Sequence, residues 1–341
     1  VSKLKYILSL CIAAALLWFT LRRTDLTMLW HSMVTAKPFW MLAAFVTVNA
    51  GHLLRAHRWR YLLGIRHSSI PLGTLWSAVM IGYGVNVVLP RLGEISRPLY
   101  LARITPVSAA EALASVLVER FLDLLMLPLL LGVALIGIGE ILFETFSGPA
   151  FRRQVFGLTL DVQGMALFIL ILCACLGGLI ALTLRYHTSR SAYWVRHHLP
   201  AVATFLDNTI RGLTALRQAK ALLITAVDTC LMWACYACAM YVLTLSVDLG
   251  GMPANAVMQS VVLVLASAIG LMFPAPGGLG SYAFAVSLAL QTIYNVPELQ
   301  ANTYALLGNV VLVVLPGGIA AVGVLLVNGW RGRTSVPLQA E

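Results

Sequence analysis

The stretch Pro71-Leu-Gly-Thr-Leu-Trp-Ser-Ala-Val-Met-Ile-Gly-Tyr-Gly-Val-Asn-Val-Val-Leu-Pro-Arg-Leu-Gly-Glu94 decides how this chain is organised. It starts as an apolar run and ends in a proline and glycine cluster before it is long enough to cross a bilayer comfortably. A second stretch, Ala254–Phe273, ends the same way in Pro274-Ala-Pro-Gly-Gly-Leu-Gly280. Each is followed by a short return segment, Ile95–Ile104 and then Ser281–Val296. Both read as re-entrant helical hairpins that enter the membrane, break and double back. Broken backbone is tolerated at that depth only where protein buries it or a wet cavity solvates it.

The rest of the chain supports a membrane setting. Of its 341 residues 60% are apolar and 11% charged, with a mean hydropathy of +0.88. That excludes a soluble enzyme and a disordered chain alike. Further apolar segments are Tyr6–Leu21, Phe39–Leu54, Phe121–Phe143, Gln163–Leu184, Ala221–Val247 and Asn302–Asn328. The first is flanked by Lys3 and Lys5 and by Arg22 and Arg23, with no small-residue cleavage site, so it reads as an uncleaved anchor. A polar stretch with apolar residues at Val202, Phe205, Leu206, Ile210, Leu213 and Leu216 fits a helix lying along the interface.

The expected fold is therefore an all-α polytopic membrane protein with six spanning helices and two re-entrant hairpins. Charge tests this layout. With the N-terminus inside, most of the 23 Lys and Arg face the cytoplasm, leaving Arg22, Arg23, Lys37, Arg152 and Arg153 outside. If the hairpin arms crossed fully, the majority would lie outside, against the positive-inside rule. The net charge of +10 is thus an orientation signal, and nucleic acid is not needed to explain it. The expectation is a multi-pass protein of a prokaryotic cytoplasmic (inner) membrane with both termini cytoplasmic.

Each half reads span, span, hairpin, span, giving a first half over 1–150, a second over 151–330 and a tail over 331–341. Three crossings per half would invert the second relative to the first, an arrangement that recurs in transporters with substrate at the midplane. Proline and glycine are also frequent in membrane helices generally, so the shared pattern has a plain alternative.

Charged residues are dense only between Arg91 and Asp123: Arg91, Glu94, Arg97, Arg103, Glu111, Glu119, Arg120 and Asp123. Charges next to apolar helices pair, snorkel or line a watery path. On a helical return arm Glu94 and Arg97 can touch; Glu119 and Asp123 share a face, with Arg120 beside them. Two readings stay open, a salt-bridge cluster that holds hairpin to helix, and a pocket whose guanidinium groups take a phosphate. The Pro276–Gly280 turn offers a complementary element. A helix starting at Ser281 would aim free N–H groups inward, although tight packing explains the glycines equally well.

Weaker positions include Asn86 and Asn309, suited to interhelical hydrogen bonds. Asn49, His52 and Arg55 fit a helix end at the headgroups or a proton path. Asp228 suits a proton carrier or a bond to a neighbouring helix. The six cysteines fall in apolar stretches, and Cys235 and Cys238 lack companions for a metal site. There is no phosphate-loop or zinc-protease motif, so no cofactor or metal and no catalytic activity is expected.

The motif residues resemble a known family. Asn86-Val-Val-Leu-Pro-Arg-Leu-Gly-Glu-Ile-Ser-Arg97 is similar to the N-x-x-x-P-x-x-x-G-E/D-x-x-R signature of the lysylphosphatidylglycerol synthase transmembrane region, also called the flippase-like domain. Ser115-Val-Leu-Val-Glu-Arg-Phe-Leu-Asp123 resembles its S-x-x-x-E-R-x-x-D helix, and Pro276-Gly-Gly-Leu-Gly280 its third motif. Bifunctional members fuse this region to an aminoacyl-transfer domain, which this sequence does not contain, so the resemblance implies lipid translocation rather than synthesis. Carried across, it implies a substrate site of Asn86, Arg91, Gly93, Glu94, Arg97, Glu119, Arg120, Asp123, Pro276, Gly277, Gly278 and Gly280. Arg91 enters beside the motif as part of the charged tract, and Pro90 also matches.

One departure bears on substrate. Many members place an acid shortly after the third motif, where this chain has Ser281-Tyr282-Ala283. A lysyl lipid loses weight, and a phosphate-bearing or glycosylated lipid gains it. The expected function is flipping of a polar, phosphate-containing (glyco- or aminoacyl-) lipid. The alternative is an accessory subunit presenting lipid to a lipid-modifying enzyme such as a glycosyltransferase. A small-solute carrier ranks last.

Overall fold

The computed structural model describes residues 3–64, 69–147, 219–249 and 256–319, with residues 207, 322, 323 and 326. Secondary structure among the described residues is helical, without strands. Helix α1 (Lys3–Leu21) is followed by α2 (Leu26–Val34), bent from it by 92°. Asp25 caps α2 by accepting from the Thr27 hydroxyl (2.6 Å) and from the amides of Thr27 (2.8 Å) and Met28 (3.2 Å). The hydroxyl first, then the amides, hold its carboxyl below the ordinary value. The apolar-run reading leaves this short helix out, because nine residues are too few to register as a span.

Helix α3 (Pro38–Leu62) starts on Pro38, whose fixed φ suits a first helical position. It extends well past the expected Leu54. The residues from Arg55 onward, which lie beyond the apolar run, continue the helix to Leu62. Charge ends an apolar run without ending a helix, since arginine is a good helix former.

Helices α4 (Leu72–Val88) and α5 (Gly93–Ile104) pack against each other as a helical hairpin. Arg91 carries the turn with φ of 63°, left-handed backbone that few non-glycine residues adopt. Gly93 is required by close approach: a Cβ there would lie 2.0 Å from the Gly82 carbonyl oxygen and 2.6 Å from Asn86 Cγ.

Ser108 and Glu111 open α6 (Ala109–Ser147) with a reciprocal capping box. Each residue's amide donates to the other's side chain, both at 3.2 Å.

The later elements are α7 (Ala219–Thr244), α8 (Ala256–Met272), a 3-10 turn over Pro276–Gly278, α9 (Ser281–Tyr294) and α10 (Glu298–Gly308). Helix α10 runs on through a π-helical stretch, Asn309–Val314, just ahead of Pro316. Helices α8 and α9 pack as a second helical hairpin, with the Pro276–Gly278 turn between them. Gly280 is forced both by φ of 79° and by α1, because a Cβ would sit 2.2 Å from the Ala13 carbonyl oxygen.

By length and composition two described helices can cross a membrane, Lys220–Thr244 and Glu298–Ile319, and the bent pair α1–α2 makes a third if it counts as one span. The Gln163–Leu184 segment and the interfacial helix expected from Val202 to Leu216 lie outside the described residues.

The most extensive helix pair is α3 with α7. Gly51 lets them close, since a Cβ would meet the Tyr236 ring at 2.6 Å. One apolar cluster, including Trp59, Leu75, Met80, Leu101 and Val116, joins α3 to α6. A larger one, including Val48, Met232, Leu243, Leu263, Leu290 and Tyr304, joins α3 and α7 to α10. Where α3, α5, α6 and α7 meet, charge replaces apolar packing.

Candidate functional site

Arg55 and Arg58 are one turn apart on α3, and Glu119 and Asp123 one turn apart on α6, so each pair shares a face. The faces meet. Arg55 Nη1 donates to Glu119 Oε1 and to Asp123 Oδ2, the latter at 3.0 Å. Arg58 Nη2 donates to Asp123 Oδ1 at 2.8 Å and lies 3.5 Å from Glu119 Oε1. Its Nη1 reaches the Thr229 hydroxyl of α7 at 3.0 Å.

From α5, Arg97 grips the same Glu119 in a bidentate fork, Nη2–Oε2 at 3.0 Å and Nη1–Oε1 at 3.3 Å. The Arg97 guanidinium also sits over the Trp59 ring, 4.7 Å from its centroid. The indole N–H of Trp59 in turn donates to Ser115 Oγ at 2.8 Å, fixing the ring. Arg97, Arg55, Arg58, Glu119 and Asp123 are all buried, with Glu119 and Arg58 fully so. Taking ions out of water costs several kcal/mol each, so such a cluster persists only because every charge has several partners.

The half-exposed edge is a further pair, Glu94 Oε1 with Arg120 Nη2 at 3.0 Å, and Arg120 Nη1 also lies 3.4 Å from Asp123 Oδ2. Glu94 and Arg97, expected to touch each other, do not pair. They point to Arg120 and Glu119 respectively, because α6 runs alongside α5 and presents a base and an acid to it. In all, Arg55, Arg58, Arg97 and Arg120 outnumber Glu94, Glu119 and Asp123. The Nε atoms of Arg58, Arg97 and Arg120 are buried and lack a hydrogen-bond partner among the described residues.

Asn86 and Gly93 form the hairpin tip. The Asn86 amide oxygen accepts from the Gly93 N–H at 2.7 Å, satisfying one of the free donors at the start of α5. Arg91 faces away from the cluster and donates to the carbonyl of Met272, the last residue of α8. The glycine turn lies beside this contact. A Cβ on Gly277 would be 3.7 Å from Val87 Cα, and Asn309 Nδ2 donates to the Gly277 carbonyl at 2.9 Å.

The two hairpins therefore meet tip to tip. Pro276, Gly277, Gly278 and Gly280 serve that junction and the packing on α1, while Glu94, Arg97, Glu119, Arg120 and Asp123 form the charged cluster. The residues expected at one site fall into two groups.

Several residues of the cluster carry no motif signal. Arg55 reads in the sequence as the end of an apolar helix, and Arg58 and Trp59 lie beyond that apolar run, although the spacing of the three is that of one helix face complementary to Glu119 and Asp123. His52, expected at a headgroup-facing helix end, is buried and stacked on Tyr83 at 4.3 Å, with Nδ1 3.2 Å from the Tyr236 hydroxyl. Asp228 bonds across to His57 Nδ1 at 2.7 Å, the interhelical option of the two open for it. Among the described residues no group of three His, Cys, Asp or Glu is placed to hold a metal ion.

A family model described as the lysylphosphatidylglycerol synthase TM region matches residues 6–320 of the chain. A comparison with curated proteins returned no match.

Proposed function

The chain belongs to the family of the lysylphosphatidylglycerol synthase TM region, and from that premise we propose that it is a flippase for a polar, phosphate-containing lipid. The family and the apolar helices make it a membrane protein with a lipid-related role, and the flippase assignment is a finer reading than either supplies. The observation that carries it is the excess of guanidinium groups over carboxylates in a largely buried cluster in which the Nε donors of Arg58, Arg97 and Arg120 lack partners among the described residues, while Arg55 Nε donates to the Tyr236 hydroxyl at 3.4 Å.

A phosphate supplies what that cluster lacks, negative charge and several acceptor oxygens in a geometry that guanidinium forks match. Entry is at the half-exposed Glu94–Arg120 pair, which an incoming headgroup can part more cheaply than the buried pairs. Arg97 and Arg120 then hold the phosphate, while Glu119 and Asp123 keep the arginines aimed. The acyl tails stay in the bilayer. No bond of the lipid is made or broken, and the chain acts as a carrier rather than an enzyme.

In the same reading the chain has six spans and two re-entrant hairpins, with halves 1–150 and 151–330 inverted in a prokaryotic inner membrane and both termini cytoplasmic. The tip-to-tip meeting of the hairpins supports this, since hairpins entering from opposite sides would meet near the midplane. The contact of Arg91 with Met272, and of Gly277 with Val87, is then the seam at which the halves rock.

The test is reconstitution. Purified protein in liposomes should expose fluorescent phosphatidylglycerol to an outside quencher, and Arg97→Ala should abolish the exposure. Movement only after a lipid-modifying enzyme is added would instead mark the chain as an accessory subunit.

A further inference from the structure

A second polar site lies at the other end of the α3–α7 pair. A cavity of about 670 Å³ is lined by Ser32, Thr35, Ser246, Gln259, Gln300 and Thr303, among others. This volume is within the usual range for small-ligand pockets. Along α3, Lys37 at this cavity and Arg55 in the cluster are about 27 Å apart at the helical rise. The two sites are thus separated by nearly the ~30 Å of a hydrocarbon core. Helix α2 contributes Ser32 to the wall and exposes the large apolar residues Leu26, Met28, Trp30 and Val34.

The chemistry of the wall differs from that of the arginine cluster. Its two charges, Lys37 and Asp248, are of opposite sign, so it does not select an anion. The hydroxyls of Thr35, Ser246 and Thr303 donate to carbonyls of their own helices, at 2.8, 2.7 and 2.8 Å, leaving their oxygens to accept. Gln259 is 4% exposed, and its Nε2 lacks a hydrogen-bond partner among the described residues; so does the buried Oε1 of Gln300. An unmet donor and an unmet acceptor beside several acceptor hydroxyls call for groups that both give and take hydrogen bonds. Hydroxyls do this.

We infer that this cavity binds a neutral, hydroxyl-rich group of the polyol class, as presented by a sugar. Such a group can arrive as a lipid headgroup or as a free sugar. The site does not depend on the arginine cluster, which is tested by translocation of an anionic lipid, so either assignment can fail without the other.

The experiment uses the full chain in phosphatidylcholine nanodiscs doped with glucosyl-diacylglycerol or with plain diacylglycerol. Lipid retained per protein after extraction is counted by mass spectrometry, with and without free glucose as competitor. The wild type should retain the glucosyl lipid about tenfold over plain diacylglycerol, a difference of roughly 1.4 kcal/mol. Gln259→Leu should remove that preference. Ser32→Trp, which fills the cavity from a half-buried position, should remove it as well and decides the matter if the first variant does not fold.

Displacement by free glucose supports the site and assigns it to a soluble polyol, whereas persistence against glucose assigns it to the lipid-borne sugar. Equal retention of plain diacylglycerol, or wild-type retention of the glucosyl lipid by Ser32→Trp, overturns the inference.

Discussion

Arg97 and Glu119 form a buried two-pronged ion pair, 3.0 and 3.3 Å, that ties the return arm of the first hairpin to α6. Two sequence motifs that look independent are thus halves of one contact. Trp59 beneath the guanidinium and Arg55 beside the carboxylate fix the pair from α3. Its removal therefore has two separable effects, on the fold and on whatever anion the arginines meet.

Glu119→Gln leaves Arg55, Arg58 and Arg97 without their shared counter-charge. Breaking a buried pair from one side costs about 3–5 kcal/mol. The variant should unfold at a clearly lower temperature than the wild type in the same detergent. Arg97→Lys keeps the charge but loses the fork and the stacking, and should lose most translocation while remaining folded, as judged by gel filtration and melting temperature.

Arg58→Met should destabilise by less, because Asp123 loses one of three guanidinium partners, keeping Arg55 and Arg120, and the Thr229 hydroxyl loses a donor. Adding Asp123→Leu should recover part of the loss, since an apolar pair can replace a buried ionic one. A double-mutant cycle by chemical unfolding should give a coupling of about 0.5–3 kcal/mol. Additive losses would show that the two residues do not act together.

Glu94→Gln separates the exposed edge from the buried cluster. The Glu94–Arg120 pair is worth at most about 1 kcal/mol at its exposure. Melting should change little, while the rate of anionic-lipid translocation changes, because the pair is the proposed point of entry.

These residues also mark how far the fold and the site were legible in the sequence. Pro90, Gly93 and the 276–280 glycines mark the hairpin breaks because a break needs special backbone, and special backbone leaves its mark locally. The α5–α6 half of the cluster was legible for a similar reason, as charges next to apolar helices stand out. Arg55 and Arg58 did not stand out, because their acids lie on another helix and a single strand of sequence shows no cross-helix complement. The turn of α1 into α2 was likewise invisible, since Asp25 capping a short helix resembles a polar loop.

Glycine substitutions test the packing. Gly93→Ala places a methyl against the Gly82 carbonyl and Asn86, where overpacking costs about 1–3 kcal/mol. Gly73→Ala, on the same hairpin with nothing within 4 Å of its Cβ, should be neutral or slightly stabilising. Paired melting curves in one detergent decide it, and equal losses at both positions would contradict the close approach of α4 and α5.

The central claim, that the buried arginine excess receives a lipid phosphate, is tested most directly by translocation of fluorescent phosphatidylglycerol in liposomes containing the purified chain as the sole protein. Quencher access should rise above the protein-free level for the wild type and remain at that level for Arg97→Ala. Translocation by Arg97→Ala at the wild-type rate would contradict the account.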